Sequence, residues 1–152
     1  MSKSTSLTGS DVTKINNRLL TDLADGDAVT LTFPNDISAI KTGKEGNAIF
    51  AKNETGNQVE VVIRVLRGSA DDRYFNNELN TLKNDFSGYV LLNAEFIKKV
   101  GDGQGNITHD TYLCTRGMPA KQVEAKTSSE GDTEQSVSVY TLRFAYCERT
   151  LG

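Results

Sequence analysis

The sequence predicts a mainly β fold with one flanking α-helix: an antiparallel β-sandwich or barrel. Three observations predict it. Short apolar segments alternate with period two along most of the 152 residues. Turn-forming clusters separate them at intervals close to those of sandwiches and barrels. One stretch only switches to the 3.6-residue period of an amphipathic helix.

The elements follow in order. Met1 to Asp11 is Ser/Thr-rich, with Met1 and Leu7 its only large apolar residues, and reads as a flexible N-terminal arm over residues 1–11. Val12 to Leu23 is mixed in pattern, and Asp25-Gly26-Asp27 is a turn signal. Ala28 to Phe33 alternates, with Val29, Leu31 and Phe33 on one side and Thr30 and Thr32 on the other, until Pro34-Asn35-Asp36 ends it. Ile37 to Lys41 and Ala48 to Lys52 are short strands around the polar, Gly-bounded loop Thr42 to Asn47. Asn53 to Asn57 connects to Gln58 to Arg67, the clearest strand, in which Val59, Val61, Ile63 and Val65 make an apolar face.

Then the period changes. Ser69 with Asp72 three residues later has the form of a capping box, and Asp71 and Asp72 place negative charge where the helix dipole favours it. Phe75, Leu79, Leu82 and Phe86 make one stripe, and Gly88 stops the element, so a helix is expected over about residues 70–87. Tyr89 to Val100, Ile107 to Cys114, Lys121 to Lys126 and Thr133 to Tyr146 are strands again, the first two joined by Gly101 to Asn106. In the last, Val137 and Val139 lie on one face and Tyr140, Leu142, Phe144 and Tyr146 on the other, a switch that suggests a bulge. About eight or nine strands result. Residues 12–147 are expected to form one β-sandwich domain, a size usual for domains, and residues 148–152 a C-terminal tail.

Composition excludes several classes. The apolar fraction is 37% and the formal charge is −3. A net acidic chain without a basic cluster is poorly suited to charge-driven nucleic-acid binding. No apolar run is long enough for a membrane span, and no basic, then apolar, leader opens the chain. Two cysteines, Cys114 and Cys147, make neither a disulfide framework nor a metal cluster and fit a reducing compartment.

Motifs for catalysis fail on spacing. Gly101 to Asn106 reads G-x-G-x-G and leads into a strand, whereas a dinucleotide fingerprint needs G-x-G-x-x-G before a helix. A calcium loop would want a Glu at its twelfth position, where Leu113 stands. Gly43-Lys44-Glu45-Gly46 lacks the phosphate-loop pattern. His109, the one histidine, has no nucleophile elbow to accompany it. No catalytic residue, cofactor or metal is expected.

Three stretches carry a resemblance: Lys41 to Ala48 before a strand, Arg67 to Asp72 opening the helix, and Glu130 to Tyr140 entering the last strand. Together with the one-helix β layout they resemble the tail tube proteins of long-tailed bacteriophages and related contractile particles. The resemblance implies a structural virion protein whose two packed sheets join a β-barrel ring on hexamerisation. Rings would stack into a tube with an acidic lumen through which DNA passes without sequence-specific binding. Candidate lumen-facing residues are Glu60, Arg64, Asn93, Glu95, Ser136 and Ser138; candidate ring-stacking residues are Lys41, Lys44, Glu45 and Arg149. Implied partners are tape measure, baseplate and terminator proteins and a sheath, with assembly in the host cytoplasm and no membrane. Two other readings stand beside it: a monomeric β-sandwich acting as tail-completion adaptor or binding module, and an enzyme built around His109 and Cys114.

Overall fold

A computed structural model describes residues 6–7, 11–24, 27–127 and 133–152. Its organising strand is the one with the cleanest alternation, β7 (Val59–Leu66), whose Val59, Val61, Ile63 and Val65 are at most 1% exposed. The other strands are β1 (Ser6–Leu7), β2 (Val12–Ile15), β3 (Arg18–Leu19), β4 (Val29–Thr32), β5 (Ser38–Thr42), β6 (Ala48–Lys52), β8 (Leu92–Gly101), β9 (Ile107–Pro119), β10 (Glu124–Ala125) and β11 (Val137–Leu151). Nine of the strands form one sheet in the order β3-β2-β8-β9-β11-β7-β4, with β1 added to β8 and β10 to β11; every pairing is antiparallel.

The mainly β, antiparallel, one-helix fold is as the sequence predicts. It is built from antiparallel sheets, the nine-stranded one and the separate pair β5 and β6, consistent with a β-sandwich. The edge strand β4 and β2, next to the other edge, approach across a cleft of about 200 Å³ whose lining includes Val12, Val29, Leu31 and Phe96. They do not pair, so no closed barrel forms among the described residues.

The core lies on one face of this sheet, in rows that cross the strands. Val59, Phe144, Gly117 and Leu92 are in register across β7, β11, β9 and β8. The Phe144 ring occupies the space a Cβ on Gly117 would need, which is why that position has no side chain. The next row is Ile15, Ala94, Cys114 and Cys147, across β2, β8, β9 and β11, all buried.

Helix α1 (Ala70–Asn84) covers the β7 and β11 part of that face. The Ser69 hydroxyl accepts from the Asp72 N–H at 3.2 Å, as the capping pattern predicts. Phe75, Leu79 and Leu82 are buried, and the Phe75 ring packs 5.2 Å from Tyr140. Phe86, expected as the stripe's fourth member, is 66% exposed, because the helix stops earlier than residue 87. Asp85 ends it by turning its carboxylate back to accept from the Gly88 N–H at 3.0 Å.

The two acids at the helix start do more than cap it. Asp71, 1% exposed, accepts from the N–H groups of Thr21 and Asp22 at 2.8 and 2.9 Å and from Arg18 at 3.3 Å, which ties the chain after β3 to the helix. The Asp72 carboxylate accepts from Tyr140 Oη at 2.5 Å, Ser138 Oγ at 3.1 Å and the Gly68 N–H at 2.8 Å, which ties the helix to β11. Burial, then the bond to Asp72, raises the Tyr140 hydroxyl above its ordinary value, so it stays the donor.

Several boundaries differ from the sequence prediction. Tyr89 to Leu91 precede β8, and the strand expected over Lys121 to Lys126 contracts to β10. Residues 148–151, expected as a tail, continue β11: Glu148 to Leu151 pair with Leu113 to Asp110 because β9 runs long enough to hold them. Within the expected N-terminal arm, Ser6 and Leu7 pair with Gly101 and Val100; residues 1–5 and 8–10 of that arm lie outside the described residues.

Candidate assembly surfaces

Among the described residues the strands β5 and β6 stand apart from the main sheet and pair only with each other, through Ser38↔Lys52 to Thr42↔Ala48. The sequence builds this hairpin locally. At its tip the Gly43 N–H donates to Asn47 O at 2.7 Å, and Gly46 takes φ +88°, a left-handed conformation glycine adopts without penalty. At its base the Asn53 N–H donates to Ile37 O at 2.9 Å, and Gly56 packs so near Ile37 that a Cβ there would lie 2.7 Å from its Cα.

All ten strand residues of the hairpin are exposed. Ile40 and Phe50 face each other at 60% and 74% exposure, and Ile49 on the opposite side is 71% exposed. An isolated two-stranded hairpin is marginal in water, and this one exposes large apolar groups on both of its faces. Three of the candidate stacking residues come together here: Lys41 on β5, and Lys44 and Glu45 in the tip loop. Their apolar neighbours were legible as strand residues, but alternation alone could not reveal that no core covers either face.

Arg149, the fourth stacking candidate, belongs elsewhere. It holds Asp110 with two bonds, at 2.8 and 2.9 Å, between β11 and β9, and stacks over the Tyr112 ring. That bonding holds the Asp110 carboxyl below its usual range.

The candidate lumen residues divide by strand parity. Glu60 and Arg64 on β7, and Asn93 and Glu95 on β8, all sit on the sheet face opposite the core, since the buried residues of both strands are their immediate neighbours. This face carries both charge signs. Glu60 pairs with Arg143 of β11 at 3.2 Å, and Glu95 lies opposite Lys14 of β2. Ser136 is exposed in a 3-10 turn (Thr133–Ser136) at the sheet's end, its carbonyl accepting from the Arg67 N–H at 2.7 Å. Ser138 is on the other face. It is 3% exposed, opposite Val65, with its hydroxyl on Asp72 under the helix, so it points into the protein.

The residues weighed for catalysis do not converge. His109 is exposed and lies five positions before buried Cys114 on β9, an odd spacing that puts the two on opposite faces. Among the described residues no group of three or more His, Cys, Asp or Glu could hold a metal ion. No described helix is long and apolar enough to cross a membrane.

No protein-family model and no curated protein sequence matches the chain. Solved structures do. The tube-terminating cap of the anti-feeding prophage superposes with a TM-score of 0.63 at 7% identity, over 93% of this chain and 88% of that one. The sheath/tube terminator of the PVC extracellular contractile injection system, in its extended state, superposes with a TM-score of 0.56 at 10% identity, over 92% of each chain. At such identities the likeness is one of fold: along nearly its whole length this chain is folded like terminator proteins of contractile particles.

Proposed function

We propose that the chain is a structural subunit of a phage-type tail, which assembles as a hexameric ring on or within the tail tube. The observation that carries this reading is the hairpin β5–β6. Its Ile40, Ile49 and Phe50 are exposed in the single chain and suit contact with an adjoining subunit. Lys41, Lys44 and Glu45 would flank that contact and fix its orientation, since charges at an apolar contact select register more than they add affinity. Arg149 serves the contact only by holding the end of β11 in place.

In such a ring the face bearing Glu60, Arg64, Asn93 and Glu95 turns towards the lumen. Its charges are mixed, so repulsion of DNA phosphates comes from the net −3 of the whole chain rather than from this face alone. DNA then passes without being held. Sheath, tape measure and baseplate proteins would be met at the ring's outer and axial surfaces.

A second reading differs in position along the tail. The two solved structures described above are terminators, which favours a ring that closes the tube over a subunit repeated along it. Electron microscopy of the purified protein at rising concentration separates them. A terminator gives rings that do not stack at any concentration, and a tube subunit gives stacks that lengthen. Monomers throughout would defeat both.

A further inference from the structure

We propose that Cys114 and Cys147 form a reversible cross-strand disulfide, a redox-controlled staple that fixes the C-terminal edge of the sheet. The proposal does not depend on the tail reading. The two residues are direct register partners on β9 and β11, both buried, with their sulfurs 2.6 Å apart.

The ladder places them at the closer kind of pair. His109 and Gly152 exchange both backbone bonds, N–H to O at 3.3 and 3.1 Å. Counting along the unbroken register from there, Cys114 and Cys147 lie five steps on, at a non-hydrogen-bonded pair, where side chains approach most closely. Such a pair meets the Cα and Cβ separations a disulfide needs.

An irregularity brings both sulfurs to one face. Phe144 and Gly117 point into the core, and strict alternation would turn Tyr146 and Thr115 inward next. Instead Ala145 and Tyr146 are both exposed, Arg116 opposite takes φ 58°, and Cys147 and Cys114 turn inward together. A non-glycine residue in this region is uncommon and costs free energy, so the surrounding packing imposes it.

The location gives the staple something to do. β7 pairs with β11 only as far as Val59↔Phe144, so among the described residues β11 has β9 as its one strand partner from Ala145 onward, and on its other side only the short 3-10 turn Glu54–Asn57 packs against β11. The edge segment Tyr146–Leu151 is held by one ladder and the Arg149–Asp110 pair. Such an edge opens more readily than the core, which admits a small oxidant to Cys147. The bond from Cys114 lowers the Cys147 thiol, whereas that bond and burial raise Cys114, so Cys147 is the sulfur that attacks first.

The oxidant is a small disulfide such as glutathione disulfide. The Cys147 thiolate attacks one of its sulfurs and expels one glutathione thiolate. Cys114, giving up its proton, then attacks Cys147 Sγ and expels the second. Two protein thiols are oxidised, one small disulfide is reduced to two thiols, and the two protons pass to them. A reducing cytosol keeps the staple open, and an oxidising environment closes it.

The test is to refold the reduced, guanidinium-unfolded chain in glutathione buffers of graded ratio, so that burial does not limit access. Thiols are then counted in guanidinium and the intact mass is measured. The proposal expects both thiols to disappear together in a monomer two hydrogens lighter, with no retained glutathione. The melting temperature should rise by about 8–15 °C, the effect of closing a loop between residues 33 apart in a domain of this size. Cys114→Ser and Cys147→Ser should each keep a reactive thiol or a glutathione adduct and show no rise. Two free thiols in the most oxidising buffer, a retained adduct on the unmodified chain, or disulfides only between chains would overturn it. The thiol count and mass of the unmodified chain decide the matter even where a serine variant fails to fold.

Discussion

Replacing Phe50 and Ile40 by serine separates folding from assembly. The two side chains are opposite one another on β6 and β5, and neither belongs to the core cluster. Full burial of such a side chain stabilises by about 1.5–3 kcal/mol. Phe50 is 74% exposed, so a partner that covers it recovers about 1.1–2.2 kcal/mol. Ile40, at 60%, adds about 0.9–1.8 kcal/mol. Together the double variant should lose about 2–4 kcal/mol per subunit contact, which weakens association about 30- to 800-fold. The monomer should hardly notice, since exposed substitutions change stability by about 0.5 kcal/mol or less. Sedimentation velocity across a concentration series measures the first quantity, and thermal melting of dilute protein the second. Unchanged association, or a melting temperature that falls in step with it, would refute the assignment of this hairpin to a subunit contact.

Three further outcomes follow from the interior. Gly117→Ala should destabilise the chain by about 1–3 kcal/mol, because a Cβ there meets the Phe144 ring; urea unfolding reads it, and a neutral result would contradict that packing. Asp71→Asn should cost about 2–4 kcal/mol, since a buried amide cannot accept from Thr21, Asp22 and Arg18 as a carboxylate does; a melt like that of the unmodified protein would show that the helix start is held otherwise. The Asp110–Arg149 pair predicts an acid sensitivity. The folded Asp110 carboxyl lies below its ordinary 3.8, so the pair's contribution is complete above that value and is lost as pH falls through the lower folded one. Melting temperatures of Arg149→Gln and the unmodified chain should therefore converge on acidification below about pH 4, and a constant difference would contradict the pairing.

Much of this fold was legible from local pattern. The β7 alternation, the Ser69 cap and the stripe of Phe75, Leu79 and Leu82 each depend on neighbours within a few residues, and each appears where the periodicity puts it. What escaped depends on contacts between distant segments. The binding of Thr21 by Asp71, 50 residues apart, has no local signature. Neither has the phase shift at Ala145, which exposes Tyr146 and turns Cys147 inward against Cys114. Glu60, Arg64, Asn93 and Glu95 share one face of the sheet by strand parity, but Ser138 lies across the sheet from them because β11 pairs it with core residue Val65. The hairpin was legible as two strands and a turn. Its separation from the sheet was not, because alternation does not say which strand finds a neighbour.

The proposed role depends on assembly of this chain with copies of itself into a closed ring. Native mass measurement of the purified protein over a concentration series tests it most directly. The expected result is a species of six copies that grows in with concentration and that the Phe50→Ser, Ile40→Ser double variant fails to form. A single-copy species at every concentration, in both proteins, would contradict it.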